Sequence, residues 1–108
     1  FKQAIVEAGD GNTQLVLKKV VPVRLIKNAF FQRVRDAEDR GAGIDELRDL
    51  LGRGRAKKGM FEGDLEEGEL EIGQVSGYIH DVRPVASIIR EMMTEYHQAK
   101  ERLADMQF

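Results

Sequence analysis

The residues best placed to do chemistry lie in the run Glu62–Gly77, EGDLEEGELEIGQVSG, which carries six carboxylates and four glycines in sixteen positions. Oxygen-rich loops of this kind hold calcium in the EF-hand. That site requires oxygen ligands at positions 1, 3 and 5, glycine at 6 and glutamate at 12. A register starting at Glu62 places Glu67 sixth, and one starting at Asp64 places Gly68 fifth. Both fail, so the stretch reads as a solvated acidic loop and no metal site is expected.

The run Gly52–Gly59, GRGRAKKG, is glycine-rich and basic. Lys57 stands where a G-x-G-x-x-G fingerprint needs its third glycine, and no Walker A pattern is present. Arg53, Arg55, Lys57 and Lys58 still form a local cationic patch, with Lys18, Lys19, Arg24 and Lys27 a second. Such residues either snorkel over a solvated surface or dock an anion, a pyridine-nucleotide phosphate or an acidic carrier protein. His80 and His97 have no serine or carboxylate at a spacing that suggests a triad. Tyr96, Met92, Met93 and Met106 read as packing residues. Gly73 and Gly77 are one helical turn apart, a spacing that lets a second backbone or a flat ligand approach one face. Gln74 can donate and accept hydrogen bonds at that approach.

Those groups must be positioned by a small number of elements. The chain has 108 residues, enough for one small domain. Its 17 basic and 19 acidic residues nearly cancel, which argues against generic nucleic-acid binding. No apolar run approaches the roughly 20 residues that span a bilayer, no signal peptide is visible, and there is no cysteine. No membrane partner is expected, and a cytoplasmic location fits.

A short helix is expected over 2–8, ended by Gly9–Asn12. Residues 13–17 and 20–23 are the only strand-like runs, with Pro22 confined to an edge or already leaving the ribbon. Asn28 is a suitable N-cap for a helix to about Arg40, whose inward stripe is Phe30, Phe31, Val34 and Ala37, with Gly41 at C′. Asp36 and Arg40 have the spacing of an ion pair. Asp45–Leu51 forms a second helix and Arg55–Phe61 another turn or two. The acidic loop runs to about Glu69, and a helix including Val75, Tyr78 and Ile79 is expected from Leu70. Pro84 opens the last helix, in which Val85, Ile88, Ile89, Met92, Tyr96, Ala99 and Leu103 recur at three and four over about 20 residues. The first helix has no cap before it, which points to a segment of a longer protein.

Three blocks occur in order: Pro22-Val-Arg-Leu-Ile-Lys-Asn28, Asp64 with Gly68, and Gly73-Gln74-x-x-Gly77 followed by an apolar pair. This order resembles the C-terminal portion of the FMN-dependent nitronate monooxygenase and enoyl-acyl-carrier-protein reductase II family, over nearly the whole chain. The pattern D-x-x-x-G-x-x-x-x-G-Q-x-x-G is the specific part. Where many members carry Met-Ala before Gly-Gln, this chain has Glu71-Ile72, a departure that bears on substrate class.

The resemblance implies an α+β, mostly helical fold with one short β ribbon: the C-terminal part and covering subdomain of a TIM-barrel flavoenzyme. Residues 1–28 would be the end of the barrel region and the ribbon, and 29–108 the helical cover. The barrel body and flavin phosphate site would lie upstream. No catalytic residue is expected in this segment, which alone should be inactive. Gly73, Gln74 and Gly77 would line cofactor or substrate, and Arg53, Arg55, Lys57 and Lys58 would meet an anionic partner. The implied cofactors are FMN, held mainly by the upstream barrel, and NAD(P)H as electron donor. The implied partners are that barrel and an acyl carrier protein thioester, with a homodimer left open. The activity the resemblance implies first is that of an NAD(P)H-dependent enoyl-acyl-carrier-protein reductase of fatty acid synthesis. Two other readings stand beside it: a monooxygenase that oxidises alkyl nitronates with O2, and a non-enzymatic helical interaction module.

Overall fold

The elements of the fold follow from where the chain caps, turns and buries apolar side chains. The computed structural model describes all 108 residues. In chain order it has α1 (Lys2–Ala8), β1 (Thr13–Val16), β2 (Val23–Ile26), α2 (Ala29–Asp39), α3 (Ile44–Leu51), α4 (Arg55–Met60), a 3-10 turn (Gln74–Tyr78) and α5 (Val85–Asp105). The protein is mostly helical with one small two-stranded antiparallel sheet.

The strands pair Thr13 with Ile26 and Val16 with Val23. The second strand therefore begins three residues later than the sequence suggested. Pro22 has no N–H to give a ladder, so pairing starts just after it. The residues between form a turn in which the Val20 N–H reaches the Leu17 carbonyl at 2.9 Å. Leu17 adopts φ 56°, a left-handed conformation that is costly for a side chain bearing Cβ. Its side chain is almost fully buried in the core, which offsets that cost.

α2 is the centre of the core. The Asn28 side-chain oxygen accepts the Phe31 N–H at 2.9 Å, the expected N-cap. The other end closes as a Schellman motif. Gly41 takes φ 84° and donates to Glu38, and Ala42 donates to the Ala37 carbonyl at 2.9 Å. Phe30, Phe31, Val34 and Ala37 are all buried, packed with Val16, Leu17, Leu25, Ala42 and Leu47. The expected Asp36–Arg40 pair does not form. Arg40 turns instead to Glu46 on α3, and Asp36 accepts from Gln32 at 2.8 Å. A partner on a neighbouring helix competed better than the one a turn away.

The expected helix from Leu70 is also absent. Residues 70–72 lie extended along β2: the Ile26 N–H donates to Leu70 O, and Ile72 N–H to Arg24 O at 3.1 Å. Leu25 and Glu71 form an isolated bridge. An open edge of β2 offered hydrogen bonds that a short helix start did not match. Helical geometry returns only at Gln74–Tyr78, and there as a 3-10 turn.

α5 begins at Pro84, as expected, and runs for 21 residues. None of them is buried. Met92, Met93, Tyr96 and Met106, expected to pack, are instead exposed, because nothing in the chain covers this stripe. The radius of gyration, 18.5 Å, exceeds the roughly 13 Å of a compact chain this long. The extents are 57 × 34 × 20 Å.

Replacing Asn28 by Ala removes a cap and leaves two loop carbonyls, those of Leu65 and Gly68, without their donor. The expected loss is roughly 2–3 kcal/mol, read as a lower urea midpoint with an unchanged slope.

Candidate functional site

The acidic run is a structural clasp. Asp64 caps its own turn, its carboxylate accepting the N–H of Glu67 at 2.8 Å and of Glu66 at 3.2 Å. Asn28 donates to the carbonyls of Leu65 at 2.9 Å and Gly68 at 2.8 Å, and the Phe30 N–H donates to Glu66 O at 3.0 Å. Gly68 passes so close to Gly59 that a Cβ there would overlap the Gly59 backbone. A Cβ on Gly59 would sit 2.8 Å from Leu70 Cδ2. Only glycine fits at this crossing.

The clasp also answers what becomes of the basic run. Arg55 lies over the Phe30 ring at 4.4 Å, donates to Leu51 O at 2.7 Å and Glu67 O at 2.8 Å, and is mostly buried. Lys57 pairs with Glu62 at 3.3 Å and Lys58 with Asp64 at 3.1 Å. Arg33 grips Glu67 with both guanidinium nitrogens. Of the four residues expected to meet an anionic partner, only Arg53 is exposed and unpaired. In the second patch, Lys19, Arg24 and Lys27 bond the backbone of Ala42, Thr13 and Gly11.

These contacts set the protonation of the loop. Backbone donation from Glu67, then the Lys58 ammonium, holds the Asp64 carboxyl below the usual range. The Arg33 guanidinium does the same for Glu67. Burial pushes the Glu69 carboxyl up, helped by the like charge of Glu71.

Gly73, Gln74 and Gly77 do not share one helical face. Gly73 is the extended residue before the 3-10 turn, and four residues overshoot a turn of about three. Gly77 lies beside Asp10, where a Cβ would sit 3.4 Å from the Asp10 Cα, an ordinary contact. Gly73 faces open space, with only Val75 Cγ1 near, at 3.9 Å. Gln74 is exposed, beside the exposed side chains of Val75, Tyr78 and Ile79. Ser76, which the sequence did not mark out, is buried with its hydroxyl unpartnered. His80 and His97 are exposed and apart from any serine–carboxylate arrangement, His97 lying edge-on to Tyr96 at 5.3 Å. No cluster of three His, Cys, Asp or Glu residues could hold a metal, and no helix is long and apolar enough to cross a membrane.

The fold of this chain as a whole is similar to part of solved structures. The chain matches FabK from Thermotoga maritima with a TM-score of 0.79 and 27% identity over 94% of its length. Its structure neighbours are FabK enzymes, of the enoyl-acyl-carrier-protein reductase II kind. A point variant of the same enzyme gives 0.73 and 25% identity, again over 94% of this chain. No protein-family model matches. The match covers 32% and 29% of those chains, so this chain spans about a third of the length of the FabK structures. That is consistent with a C-terminal segment of the family whose motifs the sequence resembles.

Two outcomes follow from the clasp. Asp64 and Glu67 have lowered values, so their stabilisation is present at neutral pH and is lost as pH falls through and below the ordinary 3.8 and 4.5. Glu67→Gln should flatten that acid limb in a pH series of thermal melts. Glu69 has the opposite sign: its raised value favours the fold below about 4.5, a contribution lost as pH rises through the raised value. Glu69→Gln should therefore gain stability relative to the parent sequence as pH rises to 7, and a relative loss there would refute the assignment.

Proposed function

We propose that this chain is the covering segment of an FMN-dependent enoyl-acyl-carrier-protein reductase. The reaction would take electrons from NAD(P)H and reduce the C=C bond of an enoyl thioester. The observation that carries this reading is the FabK likeness over 94% of the chain, at a TM-score of 0.79, in a sequence that holds the D-x-x-x-G-x-x-x-x-G-Q-x-x-G pattern.

The basic run offers no open phosphate cradle: Arg55–Gly59 is folded into α4, and Lys57 and Lys58 are paired with Glu62 and Asp64 of the acidic clasp. FMN would be held mainly by the rest of the protein, a TIM-type barrel upstream. What fits a flat ring system here is the Gly73–Gln74 edge: open space over Gly73 and an exposed amide at Gln74. The flavin, when bound, supplies the two-electron redox chemistry. The protein side of the work falls to this edge. Gln74 would hydrogen-bond the ligand, while Val75, Tyr78 and Ile79 would exclude water from its apolar part. The uncovered stripe of α5 would rest on the remaining two-thirds of the parent. Arg53, the one unpaired basic residue of its run, would meet the acidic carrier.

The test is the full-length protein assayed with crotonyl thioester and NADPH. A yellow protein that reduces the thioester is the expected result. Oxygen uptake with propionate 3-nitronate in the absence of NADPH, without thioester reduction, would move the assignment to a nitronate monooxygenase. A colourless protein with neither activity would favour a non-enzymatic helical module. In the same protein Gly73→Leu should cut turnover at least tenfold while leaving the melting temperature within about 2 °C, since nothing in this chain crowds Gly73.

A further inference from the structure

Resting on that reading, we infer that Glu71 is a charge filter at the ligand-facing edge, admitting neutral acyl groups and rejecting anions. The backbone places it there. Residues 70–72 are extended along β2, and Gly73 is extended as well, at φ −76° and ψ 156°. Extended backbone alternates its sides, so Glu69, Glu71 and Gly73 project to one side and Leu70 and Ile72 to the other. A ligand lying over the open side of Gly73 therefore sits about 7 Å from the Glu71 position, two residues along the strand.

The Glu71 carboxylate is not neutralised. It is exposed and takes part in no ion pair or side-chain hydrogen bond, unlike Glu62, Asp64 and Glu67 of the same run, which are all paired. Its neighbour on the same side is another carboxylate, Glu69, which is buried. The Glu71 charge presented beside Gly73 is thus negative and has no ion-pair partner within this chain. Two like unit charges about 7 Å apart, in the effective dielectric of a protein surface, repel by enough to change binding roughly ten- to fiftyfold. A neutral enoyl group feels none of this. An alkyl nitronate or a carboxylate would feel all of it.

The experiment uses the full-length flavoprotein, Glu71→Gln, and Glu66→Gln as a control at an exposed carboxylate of the clasp loop. The readouts are the Kd of propionate 3-nitronate, from perturbation of the flavin spectrum, and kcat/KM for crotonyl thioester. Glu71→Gln should tighten nitronate binding about tenfold or more, with the gain shrinking as salt is raised. It should leave the neutral thioester within about twofold, and Glu66→Gln should change neither. If Glu71→Gln leaves nitronate binding unchanged, or shifts both ligands alike, while the protein is yellow and reduces the thioester, the filter is refuted and the reductase assignment stands. A protein without flavin or turnover refutes both.

Discussion

The fold depends on one crossing, where the backbone at Gly68 lies against the backbone at Gly59 with no room for a side chain on either. That contact brings the acidic loop back over the start of α2. Asn28 then uses both ends of its amide there, the oxygen capping α2 and the nitrogen holding the Leu65 and Gly68 carbonyls. One side chain so joins a helix start to a loop about forty residues away. With the loop fixed, Leu70–Ile72 must run beside β2, and the chain leaves that edge at Gly73 pointing outward. The candidate ligand edge is positioned by packing that contains none of its own residues.

Electrostatics follows from the same crossing. A run of four basic residues and a run of six acidic ones, each suggestive of an ion site when read alone, are folded onto each other. Most of these pairs are solvent-facing, where an ion pair contributes little to stability. Their consequence is to remove charge from the surface. Arg55 is the exception, because it is mostly buried and satisfied by two carbonyls and the face of Phe30. Arg53, Glu66 and Glu71 are the charges of these two runs left exposed and unpaired against this cancelled background.

Much of the local architecture was legible from residue order. Asn28 as a cap, the Phe30–Ala37 stripe, Gly41 at C′ and the start of α5 at Pro84 are all decided within a few residues, so a sequence pattern suffices to find them. What was not legible was decided by distant partners. Arg40 prefers Glu46 to Asp36, β2 recruits 70–72 into an extended edge, and Leu17 accepts a left-handed turn because the core rewards its burial. The Gly73–Gly77 spacing misled for a geometric reason: an α-helical turn was read where the tighter 3-10 winding puts the two glycines on different sides. The α5 stripe was read correctly as apolar. Its expected packing is missing because this chain buries only 15 of its 108 residues and offers α5 no surface.

The candidate edge emerges by subtraction from the motif. Asp64 is accounted for by its turn, Gly68 by the Gly59 crossing, and Gly77 by the approach of Asp10. The first two would be required of any chain with this fold, whatever it bound, and Gly77 packs in ordinary contact with Asp10. Gly73 and Gln74 satisfy no such internal demand. Gly73 has open space where a side chain would go and a φ that any residue adopts, and Gln74 is exposed without a hydrogen-bond partner. A glycine that the backbone does not need, beside an amide that nothing within the chain engages, is understandable if something outside the chain lies against both. The same logic reaches Glu71, two residues earlier on the same side, whose charge is unspent in a loop where most of the other carboxylates are paired. Whatever approaches Gly73 must therefore be flat enough to use the space, polar enough to engage the amide, and free of negative charge on the side that faces Glu71.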